Sequence, residues 1–151
     1  ISIGKNHLKA RVDHFTFTSK LIDGKFPDYQ RVIPKGGDKI VIADRDALRD
    51  VLARASILSH ESIRGIRLYL EDSQLSVSAN NLEQEKAEDS LAVEYSGEAL
   101  QIGFNVVYLL DVMNAIKDER VKITLSSSSA SALVEGEGSK DALYVVMPMR
   151  L

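Results

Sequence analysis

The sequence predicts an α+β domain built from two copies of one strand-helix-three-strand (βαβββ) unit. Two observations lead to this prediction: an amphipathic helical pattern occurs twice with matching flanks, and three strand-like runs separated by turn signals follow each helix. One such unit cannot bury its sheet edges and its half-apolar helix together. The two units should therefore pack against each other as one domain.

Each predicted helix carries apolar residues at positions i, i+3, i+4 and i+7. These are Leu48, Val51, Leu52 and Ala55 in the first helix, and Leu109, Val112, Met113 and Ile116 in the second. The two registers differ by 61 positions, and the same shift places Asp44 on Asn105. Both side chains are short acceptors that can cap the free N–H groups at a helix start. Short strands around Val41 and Ile102 precede the caps.

Three strands are predicted after each helix. The first set covers Ile66 to Glu71, Gln74 to Asn80 and Ala87 to Tyr95, and the second covers Val121 to Ser126, Ala130 to Glu135 and Ala142 to Met149. Asp72 and Ser73 should form the tight turn between the first two strands. A serine cluster and the segment from Gly136 to Gly138 mark the later connections.

Residues 1–35 lie outside this repeat. They predict three short strands, Ile1 to Ile3, Leu8 to Val12 and Phe15 to Thr18, followed by a polar loop from Asp23 to Tyr29 and a linker from Pro34 to Gly37. The pattern fits the tail of a preceding domain and an N-terminal hairpin of the same domain equally well. Because the chain starts at Ile1 without an initiator Met, we expect a fragment.

Composition excludes several classes of protein. The chain has 151 residues, of which 44% are hydrophobic, a net charge of −3 and no cysteine. This charge argues against a nucleic-acid binder that works through overall basicity. The lack of cysteine excludes disulfides, thiolate catalysis and Cys-type zinc sites. No apolar run approaches the roughly 18 to 20 residues of a membrane span, so a cytoplasmic location is expected.

No grouping of residues predicts catalysis, a cofactor or a metal site. His7, His14 and His60 are scattered along the chain, and surface or capping roles fit them better than metal binding. The acidic run from Glu83 to Asp89 is interrupted by Lys86. It is therefore more typical of a solvated face or an interface than of a divalent-ion site. We expect a non-enzymatic protein without a cofactor.

Several long strings resemble bacterial DNA polymerase III beta subunits, the sliding clamp family, over the full length of the chain. They are Ser19 to Tyr29, Ala53 to Ser59, Arg64 to Leu68, Ala79 to Asn81, Ile102 to Tyr108 and Tyr144 to Leu151. The resemblance implies a DNA-clamp fold, three similar domains per chain, and a head-to-tail homodimeric ring with helices inside and antiparallel sheets outside. Residues 1–35 would then end the middle domain, and residues 36–151 would form the complete third domain.

The resemblance also implies a groove that captures short peptide segments of replicative and translesion polymerases, the clamp loader and mismatch repair proteins. Its residues would be Pro27, Arg31, Val32, Asn105, Tyr108, Ser131, Val145, Met147, Pro148, Met149, Arg150 and Leu151. Flexible apolar side chains at a chain end need something to cover them. From the pattern alone, this terminal run could equally be the last strand of the core.

Two further surfaces follow from the resemblance. Ile57 and Leu58 would lie at the centre of a subunit interface, with Glu83, Glu85, Glu88 and Asp89 as its acidic residues, although Ile57 and Leu58 could also belong to the core. Arg49, Arg54 and Lys117 would face non-specifically bound duplex DNA enclosed by the ring. Acidic residues lie among these cations, and such mixed helix faces are more often only solvated.

Overall fold

The structure is a computed structural model that describes residues 1–81, 83, 85–139 and 141–151. Its elements in chain order are β1 (Ser2–Ile3), β2 (His7–Val12), β3 (Phe15–Lys20), a 3₁₀ turn (Tyr29–Arg31), β4 (Lys39–Asp44), α1 (Arg45–Ile57), β5 (Gly65–Glu71), β6 (Gln74–Asn80), β7 (Lys86–Ala92), β8 (Leu100–Asn105), α2 (Val106–Ala115), β9 (Arg120–Leu125), β10 (Ala132–Gly136) and β11 (Tyr144–Val146). This order confirms the predicted α+β class and the two βαβββ units.

The two units exchange their first strands. One four-stranded sheet has the order β11-β10-β9-β4, and the other has the order β7-β6-β5-β8. Strand β4 of the first unit thus pairs antiparallel with β9 of the second, and β8 of the second pairs antiparallel with β5 of the first. Neither unit can complete its sheet alone, which explains why they form one domain. The sequence pattern did not predict this exchange.

Two isolated bridges join the sheets at equivalent places. Ile42 in β4 and Glu94 exchange backbone hydrogen bonds of 3.0 and 2.8 Å, and the Met149 N–H donates to the Gly103 carbonyl at 2.8 Å. Ile42 and Gly103 are separated by the same 61 positions as the helices. The chain that leaves the last strand of each unit therefore pairs with the edge strand of the opposite sheet.

Both helices begin where the sequence predicts. The Asp44 carboxylate accepts a hydrogen bond from the Ala47 N–H at 2.8 Å, and the Asn105 amide oxygen accepts one from the Val107 N–H at 2.9 Å. The two helices pack side by side. Their predicted apolar positions are all buried: Leu48, Val51, Leu52, Ala55, Leu109, Val112, Met113 and Ile116. These side chains join strand residues in one hydrophobic core, where burial supplies most of the stabilisation.

Two predicted strands end three residues early in the structure. Strand β7 ends at Ala92 instead of Tyr95, and β11 covers only Tyr144–Val146 instead of Ala142 to Met149. In both cases the chain leaves its own sheet to bridge the other one, so it can no longer pair with its former neighbour. The Asp72–Ser73 turn is confirmed, and both residues have positive φ, 46° and 62°. Such values fit a two-residue hairpin turn.

The first part of the chain forms a separate three-stranded sheet with the order β1-β2-β3. The predicted strands are present, and large apolar side chains of this sheet are exposed, among them Ile3, Val12, Phe15 and Phe17. In the predicted linker, Gly36 has a φ of 77°, which favours glycine. No helix in the described part of the chain is long and apolar enough to cross a membrane.

Candidate binding groove and interaction surfaces

Three of the predicted groove residues line one cleft of about 600 Å³: Arg31, Val32 and Ser131. The 3₁₀ turn that carries Arg31 begins at Asp28. The Asp28 carboxylate accepts from the Gln30 N–H at 3.2 Å and also lies 3.2 Å from the Arg31 guanidinium. Asp28 therefore caps the turn and orients Arg31 at the edge of the cleft.

The C-terminal segment passes beside this cleft. Strand β10 pairs with β11, and the ladder ends where Ala132 lies opposite Val146. Ser131 precedes Ala132 and Met147 follows Val146, so both lie just beyond this last pair. Val146 is buried in the core, whereas Met147 is 71% exposed. Of the terminal residues predicted for the groove, Met147 lies open to solvent, and Val145, Pro148 and Met149 are half-buried.

The same segment then approaches the start of α2. Met149 bridges to Gly103, which is two residues before the helix cap at Asn105. Tyr108 lies one turn further and is 59% exposed. The cap hydrogen bond fixes the side-chain amide of Asn105. Secondary-structure ends, which are more rigid than loops, therefore position these groups.

The remaining groove residues occupy different places. Pro27 is exposed and is not among the residues that line the cleft, Arg150 is exposed, and Val145 and Pro148 are half-buried. Leu151 packs on Gly65 and Gly103, a contact that the sequence did not predict. One sequence feature could have indicated this contact: each of two apolar strands contains a glycine. A glycine in a strand often marks the close approach of another segment.

The predicted interface residues lie at the C-terminal end of α1. Ile57 is 78% exposed, and Leu58 is half-buried. Ile57 and Glu83 line a cleft of about 330 Å³ together with His60 and Asn81. The Nδ1 atom of His60 accepts hydrogen bonds from the N–H groups of the two residues at positions 62 and 63. This histidine stabilises a turn, one of the roles expected from the sequence.

Two carboxylates of the acidic run pair with cations of the chain, and a third accepts a hydrogen bond from a neutral amide. Glu85 accepts a hydrogen bond from the Asn81 amide at 2.6 Å, and Glu88 forms an ion pair with Lys86. The Arg54 guanidinium lies 2.7 Å from the Asp89 carboxylate. The hydrogen bond from Arg54, followed by that from the Ser90 backbone, lowers the pKa of Asp89. This surface is therefore less negative than its sequence indicates.

The three predicted DNA-facing cations do not form one group. Arg49 contacts the carboxylates of Asp46 and Asp50 at 3.0 and 3.3 Å, while Arg54 reaches across to β7. Lys117 is exposed and has no ion pair with any residue that the structure describes. Exposed ion pairs contribute only about 0–1 kcal/mol, so these arginines can exchange their partners readily.

Titratable groups show no catalytic or metal-binding arrangement in the described ranges. There, no three His, Asp or Glu side chains lie close enough together to hold a metal ion. The other lowered carboxyl pKa belongs to Asp38, because Lys39 donates a hydrogen bond to it. Burial raises the pKa of Tyr95, whose hydroxyl donates to the Glu98 carbonyl. Both are local structural contacts.

Comparisons with known proteins agree on one family. The model of the family described as "DNA polymerase III beta subunit, C-terminal domain" matches residues 30–150. The beta sliding clamp of Pseudomonas putida is 56% identical over all 151 residues, and that of Escherichia coli strain K12 is 54% identical. The chain spans 41% of the length of each of these relatives.

Solved structures show the same similarity. The DNA polymerase III subunit beta of Pseudomonas aeruginosa matches 99% of the chain with a TM-score of 0.93 and 56% identity. A sliding clamp of the same organism bound to griselimycin matches 99% of the chain with a TM-score of 0.90 and 56% identity. The chain covers 41% and 40% of these two structures, respectively.

Proposed function

Because this chain belongs to the DNA polymerase III beta subunit family, we propose that it forms the C-terminal part of a sliding clamp, a ring that encloses duplex DNA in the cytoplasm. It acts by binding and enclosure, not by catalysis. Residues 1–35 end the middle domain, and residues 36–151 form the third domain. This division is supported by the separate β1-β2-β3 sheet and by a family match that starts near the linker, at residue 30.

We propose that the C-terminal surface is a groove for short peptide segments. The observation that carries this proposal is the exposed Met147, which directly follows the Val146–Ala132 pair at the edge of the cleft lined by Arg31, Val32 and Ser131. An exposed, flexible methionine suits binding of several different sequences. Peptide side chains contact Met147 and Val32, and Arg31 fixes the orientation of the peptide backbone. The ligand-bound clamp of Pseudomonas aeruginosa supports an accessible binding site in the family.

The occupants of this groove are segments of replicative and translesion polymerases, the clamp loader and mismatch repair proteins. Apolar anchors supply most of the affinity of such interfaces, while a few polar groups set the orientation. Because these proteins share one groove, they bind the same ring in succession. Processivity then depends on the ring, not on the affinity of a partner for DNA.

Titration calorimetry with a Gln-Leu-x-Leu-Phe peptide tests the groove. Met147→Ala should weaken binding by about 1–3 kcal/mol, because it removes an apolar anchor at the centre of the contact. Ile57→Ala is the matched control, since Ile57 is similarly exposed but lies at the far end of α1. Equal affinities of the Met147 variant and the parent chain would remove the groove assignment.

We propose that Ile57 and the edge of β7 contact a second chain in the head-to-tail homodimer. In the described part of the chain, β7 pairs with β6 on one side alone, and a free sheet edge is a ready template for pairing. Leu58 extends the apolar contact. Glu83, Glu85, Glu88 and Asp89 supply charges that set the register more than the affinity.

Sedimentation of the full-length protein tests this interface. Ile57→Ala combined with Leu58→Ala should convert dimers to monomers, because both changes remove apolar area from the centre of the contact. Met147→Ala in the same protein should leave the dimer intact. A double variant that still sediments as a dimer contradicts the assignment.

We propose that Arg49, Arg54 and Lys117 make weak, exchangeable phosphate contacts with the enclosed duplex. Phosphate contacts carry no sequence information and permit sliding. Full-length rings loaded on circular DNA should remain bound at a salt concentration that screens these charges, and should leave after the circle is cut. Rings that leave intact circles as fast as cut ones would exclude enclosure.

A further inference from the structure

The end of the chain packs on a bare patch of backbone, which we call the glycine platform and which consists of Gly65 and Gly103. A Cβ on Gly65 would lie 2.5 Å from Cδ2 of Leu151. A Cβ on Gly103 would lie 2.6 Å from the Met149 carbonyl oxygen and 2.9 Å from Cδ1 of Leu151. Real Cβ atoms do not approach other atoms so closely. Glycine at both positions is therefore what admits the leucine.

The platform lies on the sheet face that points away from the core. Strands β5 and β8 pair so that Gly65 is opposite Asn105 and Arg67 is opposite Gly103, which places the two glycines diagonally on one face. The alternate residues of both strands, such as Ile66 and Phe104, are buried on the other face. Leu151 is still 45% exposed, and it lines a small cleft together with Ile63 and Arg67.

The C-terminal segment is thus attached at two points with the groove residues between them. At one end, Val146 is buried and paired in β11. At the other, Met149 donates to the Gly103 carbonyl at 2.8 Å, and Leu151 rests on the platform. Met147 and Pro148 form the short span between these points. A span fixed at both ends loses little conformational entropy when a ligand orders it.

We infer that Leu151 on the glycine platform is a latch that holds the C-terminal segment against β8 and thereby positions Met147 and Pro148 for peptide binding. Leu151 is in this view a positioning residue that acts through the backbone at Met149. The part of the inference that concerns peptide affinity rests on the proposed groove. The attachment of the segment itself does not, so the two can be tested separately.

Hydrogen exchange at the Met149 amide reports the attachment directly, because this N–H is bonded to Gly103. Leu151→Ala and Gly65→Ala should each accelerate this exchange about tenfold or more, since either change removes the packing that keeps the bridge closed. Gly65→Ala should be tolerated, because the atom in its way is the end of a flexible side chain. Unchanged exchange of β9 amides shows that the fold is intact.

Three further variants make this test more specific. The double variant Leu151→Ala with Gly65→Ala should accelerate exchange of the Met149 amide no more than either single variant, because both changes remove the same contact. Leu151→Met should restore slow exchange. Leu143→Ala is the matched control, because Leu143 is 49% exposed but does not touch the platform. Met149 exchange that is as slow in Leu151→Ala as in the parent chain would overturn the latch.

Peptide titration with the same variants separates the latch from the groove. Leu151→Ala should weaken binding of the Gln-Leu-x-Leu-Phe peptide about three- to tenfold, through lost preorganisation. If exchange accelerates while affinity stays constant and Met147→Ala still weakens binding, the positioning role is wrong. If the parent chain binds no peptide, the proposed groove fails, and Met149 exchange alone then decides whether the latch exists.

Discussion

The two βαβββ units share an internal skeleton and differ in what they expose. Leu48 and Leu109 are equivalent under the 61-position shift, and both are almost fully buried. The third residue of each helix is exposed. It is Ala47 in α1 but Tyr108 in α2. At the end of α1, Ile57 is exposed, and its counterpart is Asp118.

This difference shows how a duplicated unit can serve two purposes. Core positions must fill the same space in both copies, because packing tolerates little change in volume. Surface positions carry no such restriction, so the first unit exposes Ile57 at the end of α1 and the second exposes Tyr108 in the first turn of α2. One fold thereby exposes two different apolar surfaces, which we propose as separate binding surfaces.

The largest expected effect tests whether equivalent buried core positions contribute equally to stability in both units. Leu48→Ala and Leu109→Ala should each reduce the free energy of unfolding by about 2–5 kcal/mol, through lost apolar burial and the cavity left behind. Urea denaturation of the chain provides the measurement. A cost at one position that exceeds the other by more than about 2 kcal/mol would show that the units contribute unequally to the core.

A smaller effect is expected at the two helix caps. Asp44→Ala and Asn105→Ala should each cost about 0.5–2 kcal/mol, because each leaves a helix N–H without its acceptor. The caps differ in function, since only Asn105 belongs to the proposed groove. Asn105→Ala should therefore weaken both stability and peptide binding, and Asp44→Ala only stability. Denaturation and titration calorimetry on both variants distinguish these effects.

The smallest effect concerns the Arg54–Asp89 pair, which the second unit lacks because Ala115 is the counterpart of Arg54. Arg54 lowers the pKa of Asp89 in the folded chain. The pair thus contributes stability above the unfolded pKa of aspartate, about 3.9, and this contribution is lost as the pH falls through the folded value. Carboxyl NMR titration should show the pKa of Asp89 rising in Arg54→Ala. An unchanged pKa would mean that Arg54 does not hold this carboxylate.

Local patterns were sufficient to predict the elements of this fold. The helix starts at Asp44 and Asn105 follow from short acceptors before an amphipathic run, and the Asp72–Ser73 turn follows from polar residues between two strands. The ends of β7 and β11 were missed. Their residues continue to favour strand, and only pairing with the opposite sheet ends them early.

The proposed site was predictable only through resemblance. Composition and spacing left the terminal run from Val145 to Leu151 equally suited to a core strand and to an exposed surface, and the structure exposes Met147. The resemblance assigns Arg54 to the DNA-facing surface and Asp89 to the subunit interface, yet the two side chains pair with each other. Contacts between residues distant in sequence decide such cases, and no local pattern records them.

Residue order was sufficient to define the duplicated unit, its helix caps and the apolar faces that must be buried, because these depend on periodicity and on hydrogen bonding within a few residues. The tertiary structure alone decided that the units exchange their first strands, that the segment from Met147 to Arg150 spans the two sheets, and that Leu151 rests on Gly65 and Gly103. Each of these depends on which sheet edges remain open after the core has formed. The unpaired backbone N–H and C=O groups of a sheet edge can bond to any strand that reaches them. The geometry of the folded core therefore selects which strand pairs there.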